Sequence, residues 1–141
     1  FVLTKILKLN YKDALDCAAM KLSLVGYPME RAWQFPANIS GGMIKRASIA
    51  RALALDPEIL FLDEPTSGLD PQSSREFNKL LVDLRDLLGT TVVIITHDPQ
   101  TTLTAAEQLI VIGRKKIIFD NSPKEALNSD DEVVREILKG V

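Results

Sequence analysis

Ile59-Leu60-Phe61-Leu62-Asp63-Glu64-Pro65-Thr66-Ser67-Gly68-Leu69-Asp70-Pro71 is the stretch on which the fold turns. Four consecutive apolar residues ending on two carboxylates predict a strand from Glu58 to Asp63, covered on both faces as in a parallel sheet. A helix expected from Gln72 to Leu88, stopped by Gly89, follows at once, and Thr91 to Thr96 repeats the buried-strand pattern before the polar cluster Thr96-His97-Asp98. Strand, helix, strand reads as a right-handed crossover.

Upstream, Ala14, Leu15, Ala18, Ala19, Leu22 and Val25 recur at three- and four-residue steps, which predicts an amphipathic helix from Tyr11 to Val25, stopped by Gly26 and Pro28. A second helix is expected to begin at Ser40-Gly41-Gly42 and run to about Leu55, with Ile44, Ala47, Ala50 and Leu53 or Ala54 as its apolar stripe. Asp56-Pro57 closes it. Downstream, Leu109 to Ile112 and Lys116 to Phe119 read as a hairpin, followed by short helices at Pro123–Leu127 and Asp131–Leu138.

With 46% hydrophobic and 26% charged residues, the 141-residue chain has the balance of one soluble globular domain, or most of one. It starts at Phe1 rather than Met, and the expectation is a piece of a longer product. A formal net charge of −2 supplies no basic field for a phosphate backbone, so no nucleic-acid partner is expected. The single Cys17 has no internal disulfide partner and reads as a small buried helix side chain, in keeping with a reducing cytosol. The apolar runs at 59–62 and 92–95 fall far short of the roughly 20 residues that a membrane-spanning helix needs. Any membrane link is expected to run through a partner.

Ligands of open α/β sheets bind beyond the carboxyl ends of the strands, where both strands here place polar groups. Of the pair Asp63 and Glu64, one carboxylate can hold a magnesium ion through water while its neighbour orients or deprotonates an attacking water. Ser40-Gly41-Gly42 offers a hydroxyl, unobstructed backbone N–H groups and the positive end of a helix dipole, which suit a phosphate. Each feature alone is more often an ordinary strand exit, loop histidine or N-cap turn. Their order and spacing decide otherwise: Ser40 stands 23 positions before Asp63, Ser67-Gly68-Leu69-Asp70 follows directly, and His97 lies 27 beyond Asp70.

On these residues the sequence resembles the nucleotide-binding subunits of ABC transporters, from about Asp13 to Gly140. The resemblance implies an α/β fold: a partial RecA-like P-loop NTPase core of parallel strands with helices at 56–141, and the ABC helical subdomain at 1–55. It makes Ile39-Ser40-Gly41-Gly42-Met43 the signature motif, Ile59–Asp63 the Walker B strand with Asp63 at the metal, Glu64 the catalytic carboxylate, Ser67, Gly68 and Asp70 part of the D-loop, and His97 the switch histidine. ATP and Mg²⁺ are the implied ligands. In this family two subunits pack head to tail, and each ATP lies between the Walker A loop of one and the signature helix of the other. Here none of the seven glycines is followed by Lys, so the chain contains no Gly-Lys-Ser/Thr phosphate loop and is expected to be inactive by itself.

Met43 stands where most such transporters carry Gln. With Ala19-Met20-Lys21-Leu22, Val25-Gly26 and the tail Lys115-Lys116-Ile117-Ile118, it is similar to the Mla-type, toluene-tolerance subgroup of phospholipid-trafficking transporters. That similarity implies a lipid or hydrophobic cargo, a membrane permease, a lipid-transfer protein as a further partner, and a cytoplasmic position on the inner face of the membrane. The rival from another class is the C-terminal lobe of an SMC or Rad50-like DNA-maintenance ATPase; the stretch Glu64 to Pro71 and Thr96-His97-Asp98 resemble a transporter's instead. A degenerate accessory subunit is disfavoured by the presence of Asp63, Glu64 and His97 together.

Overall fold

Residues 1–138 are described by the computed structural model; residues 139–141, the end of the expected 56–141 core, lie outside the described residues. The chain opens on α1 (Val2–Lys5) and α2 (Tyr11–Leu24), the latter begun by Asn10, whose side chain accepts from the Asp13 N–H at 2.9 Å. At its far end the Arg46 guanidinium donates to the Val25 carbonyl at 2.6 Å. Gly26 then turns the chain at φ +63°, and a Cβ there would sit 3.1 Å from that same guanidinium. Both the backbone and the close arginine therefore call for glycine.

After two single turns of helix at Met29–Arg31 and Pro36–Asn38 comes α3 (Gly41–Ala52), extended by a tighter turn at Leu53–Leu55 and closed by Asp56 in the left-handed region. β1 (Ile59–Asp63), α4 (Pro71–Leu88) and β2 (Thr91–Ile95) form the crossover. Asp70 caps α4 at its start, and Gly89 ends it at φ +64°. β1 and β2 pair in parallel, from Ile59 opposite Thr91 to Asp63 opposite Ile95. A short helix not expected from the sequence, α5 (Pro99–Ala105), leads to the antiparallel hairpin β3 (Leu109–Gly113) and β4 (Lys116–Asn121), then to α6 (Pro123–Ala126) and α7 (Glu132–Ile137). The two strand pairs remain separate sheets among the described residues.

Leu53 at the end of α3, Leu60 of β1 and Phe77, Leu81 and Leu84 of α4 share the main core with Val25 and Ile49. Residues on both sides of position 55/56 thus contribute to one cluster. A second, smaller cluster lies under the hairpin, around Val111, Ala126 and Val134.

Several expectations are corrected. Coverage is uneven: Leu60 is buried in the cluster that holds Phe77 and Leu81 of α4, whereas Phe61 is 68% and Ile95 58% exposed. Ile44 is exposed, whereas the expected Ala50, Leu53 and Ala54 are buried and Ile49 joins them. Cys17 is half-buried rather than buried, and Leu15 is exposed. On α2 the expected Ala14 is buried, and so, unexpectedly, is Lys21, whose stem is covered while its ammonium pairs with the Asp56 carboxylate.

Leu53 is 1% exposed where α3 meets the sheet, so Leu53→Ala opens a cavity in the shared core. A loss of about 2–5 kcal/mol is expected, read from the shift in the urea midpoint.

Candidate functional site

Where β1 ends, the backbone of Glu64 enters the left-handed region at φ +44°, a costly conformation for a residue with a side chain. It is held there from several directions. The Glu64 N–H donates to the Ile95 carbonyl at 2.8 Å, carrying the parallel pairing one step past Asp63. The Glu64 carbonyl accepts from the Ser67 N–H at 3.1 Å and from Lys45 Nζ of α3 at 3.0 Å. In this conformation the carboxylate faces the end of β2, where it accepts from the His97 backbone N–H at 3.1 Å, from His97 Nδ1 at 2.7 Å and from Thr96 Oγ1 at 3.3 Å.

The His97 ring is 87% exposed and the Glu64 side chain 33%, so the contact faces solvent and is open to an incoming ligand. The hydrogen bond from His97 holds the Glu64 carboxyl below its ordinary value, against a smaller opposing effect of burial, and the same bond raises His97. The His97 contribution to stability is present below 6.5 and fades as pH rises through the elevated folded value. The Glu64 contribution is present above 4.5 and fades as pH falls through the depressed folded value. The pair is therefore strongest between those limits, with the carboxylate ionised and the imidazole protonated.

Asp63 is exposed at the strand end, and its carboxylate has no hydrogen-bond or ion-pair partner among the described residues. No group of three or more His, Cys, Asp or Glu side chains there could cage a metal. A single free carboxylate suits a magnesium ion, which keeps most of its waters and takes the rest of its oxygens from phosphates. Ser67 and Gly68 line an open depression of about 490 Å³ with Glu64, Thr66, His97 and Asp98. Asp70 stands apart as the cap of α4: its carboxylate accepts from the Ser73 hydroxyl and from the Gln72 and Ser73 N–H groups at 3.0 Å. These bonds, the Ser73 hydroxyl first, hold its pKa low.

The start of α3 borders a separate hollow of about 180 Å³, lined by Ser40, Gly42, Met43, Leu69 and Ser73, and Leu69 contributes to both hollows. Ser40 Oγ accepts from the Met43 N–H at 3.3 Å, leaving the N–H groups of Gly41 and Gly42 as first-turn donors without an intrahelical acceptor. A Cβ on Gly41 would meet nothing within 4 Å, and one on Gly42 only Leu69 Cδ2 at 4.0 Å. Internal packing thus gives no reason for either glycine; the open space admits a close approach from outside. The structure brings Glu64, Ser67, Gly68 and His97 to one depression, which Asp63, next to Glu64 in the chain, does not line, while Ser40, Gly41, Gly42 and Met43 form a second surface.

Sequence reasoning overlooked Lys45, because nothing local announces that a lysine stem will reach a carbonyl 19 residues away. It also overlooked Asp98 as a cap, although Asp98-Pro99 repeats the Asp70-Pro71 pattern that opens α4. Burial opposes ionisation of Asp98, but bonds from the Thr101 hydroxyl, the Gln100 and Thr101 N–H groups and Thr66 together keep its pKa low.

Residues 3–67 match the ABC transporter family. Over 140 residues the chain is 37% identical to the probable ribonucleotide transport ATP-binding protein mkl of Mycobacterium leprae, covering 99% of this chain and 40% of that protein. It is 34% identical over 124 residues to the energy-coupling factor transporter ATP-binding protein EcfA2 of Bacillus cereus, covering 88% of this chain and 42% of the relative. Among solved structures it is similar to cbiO1 of Clostridium perfringens, part of the transporter complex cbiONQ, with a TM-score of 0.77, 32% identity and 92% of this chain matched to 51% of that one. A dimeric ATP-binding cassette bound to ADP and Pi matches with a TM-score of 0.70 and 29% identity, over 82% of this chain and 49% of that one. The chain spans about two fifths of the length of these curated relatives and about half of these solved chains.

Because His97 is the sole histidine, its ring signals are unambiguous in a proton NMR titration. Glu64→Gln should return its pKa from the elevated value toward 6.5; a titration unchanged by the substitution would rule out the carboxylate as the cause.

Proposed function

The chain belongs to the ABC transporter ATP-binding proteins, and on that premise we propose that it supplies the hydrolytic carboxylate and the signature surface of an ATP-hydrolysing transporter subunit. The observation that carries this reading is the 2.7 Å contact between Glu64 and His97 across the ends of two parallel strands, beside the free carboxylate of Asp63.

In this reading Glu64 orients the attacking water and receives its proton, while His97 turns from the carboxylate to the terminal phosphate when nucleotide arrives. Asp63 would hold Mg²⁺, which when bound would offset phosphate charge. Ser67, Gly68 and Asp70 shape the loop beside Glu64. Ser40, Gly41, Gly42 and Met43 address the phosphates of a nucleotide seated on another subunit, their first-turn N–H groups aimed outward. The chain has no Gly-Lys-Ser/Thr phosphate loop, so a complete ATP site requires that element from elsewhere. We take 1–55 and 56–141 as the signature-bearing and core parts of the subunit.

The proposed partners are a second ATPase subunit packed head to tail and a membrane permease, through which the protein sits on the cytoplasmic face. The dimeric cassette and the cbiONQ complex support that assembly. No helix among the described residues is long and apolar enough to cross a membrane, so attachment through such a permease fits. For cargo we propose a lipid or other hydrophobic compound, with a lipid-transfer protein as a further partner. The Ser40-Gly41-Gly42-Met43 signature and the Lys115–Ile118 tail are the support for that choice. An SMC-like role is disfavoured by the transporter ATP-binding names of the relatives.

Three measurements test the proposal. Isothermal titration of the 141-residue chain with magnesium-ATP should show no tight binding, because carboxylates without a phosphate-loop lysine repel the nucleotide; micromolar binding would overturn the division of the site. In protein that also carries a phosphate loop, Ser40→Arg should abolish ATP-driven dimers in sedimentation while leaving the fold intact, and Glu64→Gln should collapse hydrolysis with nucleotide still bound. A normal ATP dimer formed by the Ser40→Arg protein would reject the signature role of Ser40.

A further inference from the structure

The Glu64–His97 contact is too exposed to hold its own geometry. Solvent-facing ion pairs contribute little and are easily exchanged for water. Behind it, however, lies a set of polar side chains in the interior. Asn78 is 2% exposed on a face of α4 otherwise made of Phe77, Leu81 and Leu84. Its amide donates to Thr101 Oγ1 at 3.0 Å and to Thr104 Oγ1 at 3.3 Å. Thr101, 1% exposed on α5, places its hydroxyl 2.6 Å from Asp98 Oδ2 and 3.2 Å from the hydroxyl of buried Thr66. Thr66 Oγ1 in turn reaches Asp98 Oδ2 at 3.5 Å.

The two ends of this chain of bonds matter most. Thr66 lies two residues beyond Glu64, and Asp98 follows His97 directly. We propose that Thr101, anchored by Asn78, is a positioning residue: through Thr66 and Asp98 it locks the loops after β1 and β2 together and so fixes Glu64 against His97. Asn78 is the one polar residue among the buried positions of α4, where an apolar side chain is the ordinary occupant, so the amide stands out. Once such groups are buried each must be satisfied, and no buried side-chain polar atom among the described residues lacks a partner. The lock is therefore a closed set that permits one relative placement of the two loops. The depressed pKa of Asp98 fits, since an ionised acceptor draws all four of its donors inward.

This proposal deepens the reading of Glu64 and His97 as the hydrolytic pair, but its test does not depend on ATP. The probe is the ring of His97, the sole histidine, whose ¹⁵N signals report its tautomer and its bond to Glu64 at one fixed pH. In the full chain, Thr101→Val keeps the volume and removes the hydroxyl. The ring signals should move toward those of the Glu64→Gln chain while the backbone amide spectrum keeps its dispersion, and Thr101→Ser should restore them. Thr66→Val removes the 3.2 and 3.5 Å links and should act in the same direction, deciding the matter if Thr101→Val does not fold. Unmoved ring signals in a folded Thr101→Val or Thr66→Val chain would overturn the proposal; loss of ATP turnover elsewhere with these signals intact would bear on the hydrolytic reading alone.

Discussion

The parallel pairing of β1 with β2, extended past Asp63 by the Glu64 N–H to the Ile95 carbonyl, is the constraint from which the site follows. A parallel pair needs a crossover, here α4, and a crossover brings both strands to end on the same edge of the sheet. The extra bond draws Glu64 into a left-handed turn that no isolated Pro-flanked acidic residue would favour. Side-chain direction is then decided by the backbone, and the carboxylate has the His97 loop as its nearest donor set.

What surrounds that bond is layered by solvent access. Outermost are Asp63, Glu64, His97 and the first turn of α3. Beneath them lie Lys45, reaching from α3 to the Glu64 carbonyl, and the Thr66–Asp98 pair. Innermost is the apolar cluster of Leu53, Leu60, Phe77 and Leu81. Charge is tolerated where water can solvate it, and polar groups in the interior occur as complete sets.

Much of this order was legible in the residues. Ser40 marks the start of α3 and the apolar-to-acidic switch at Leu62–Asp63 the strand end, whereas Asp70, read as part of the D-loop, turns out to cap α4. Asp98 shows how a short helix escapes notice: seven residues carry too little periodicity to announce it, although the Asp-Pro start was present. The burial of β1 was misread because an apolar run records what a strand is suited to meet, not what lies against it; Phe61 fits a covered face and is exposed. Lys21 and Lys45 were invisible for a different reason, since long flexible stems make contacts whose partners are distant in sequence.

The open surroundings of Gly41 and Gly42 carry one more consequence. Both stand in the first turn of α3, where a glycine costs a helix less than in its interior, and neither position is crowded, so internal packing leaves room for a side chain at both. The bare first turn of α3 is therefore a feature that the packing of this domain does not account for, and stabilising redesign of this protein should begin anywhere else.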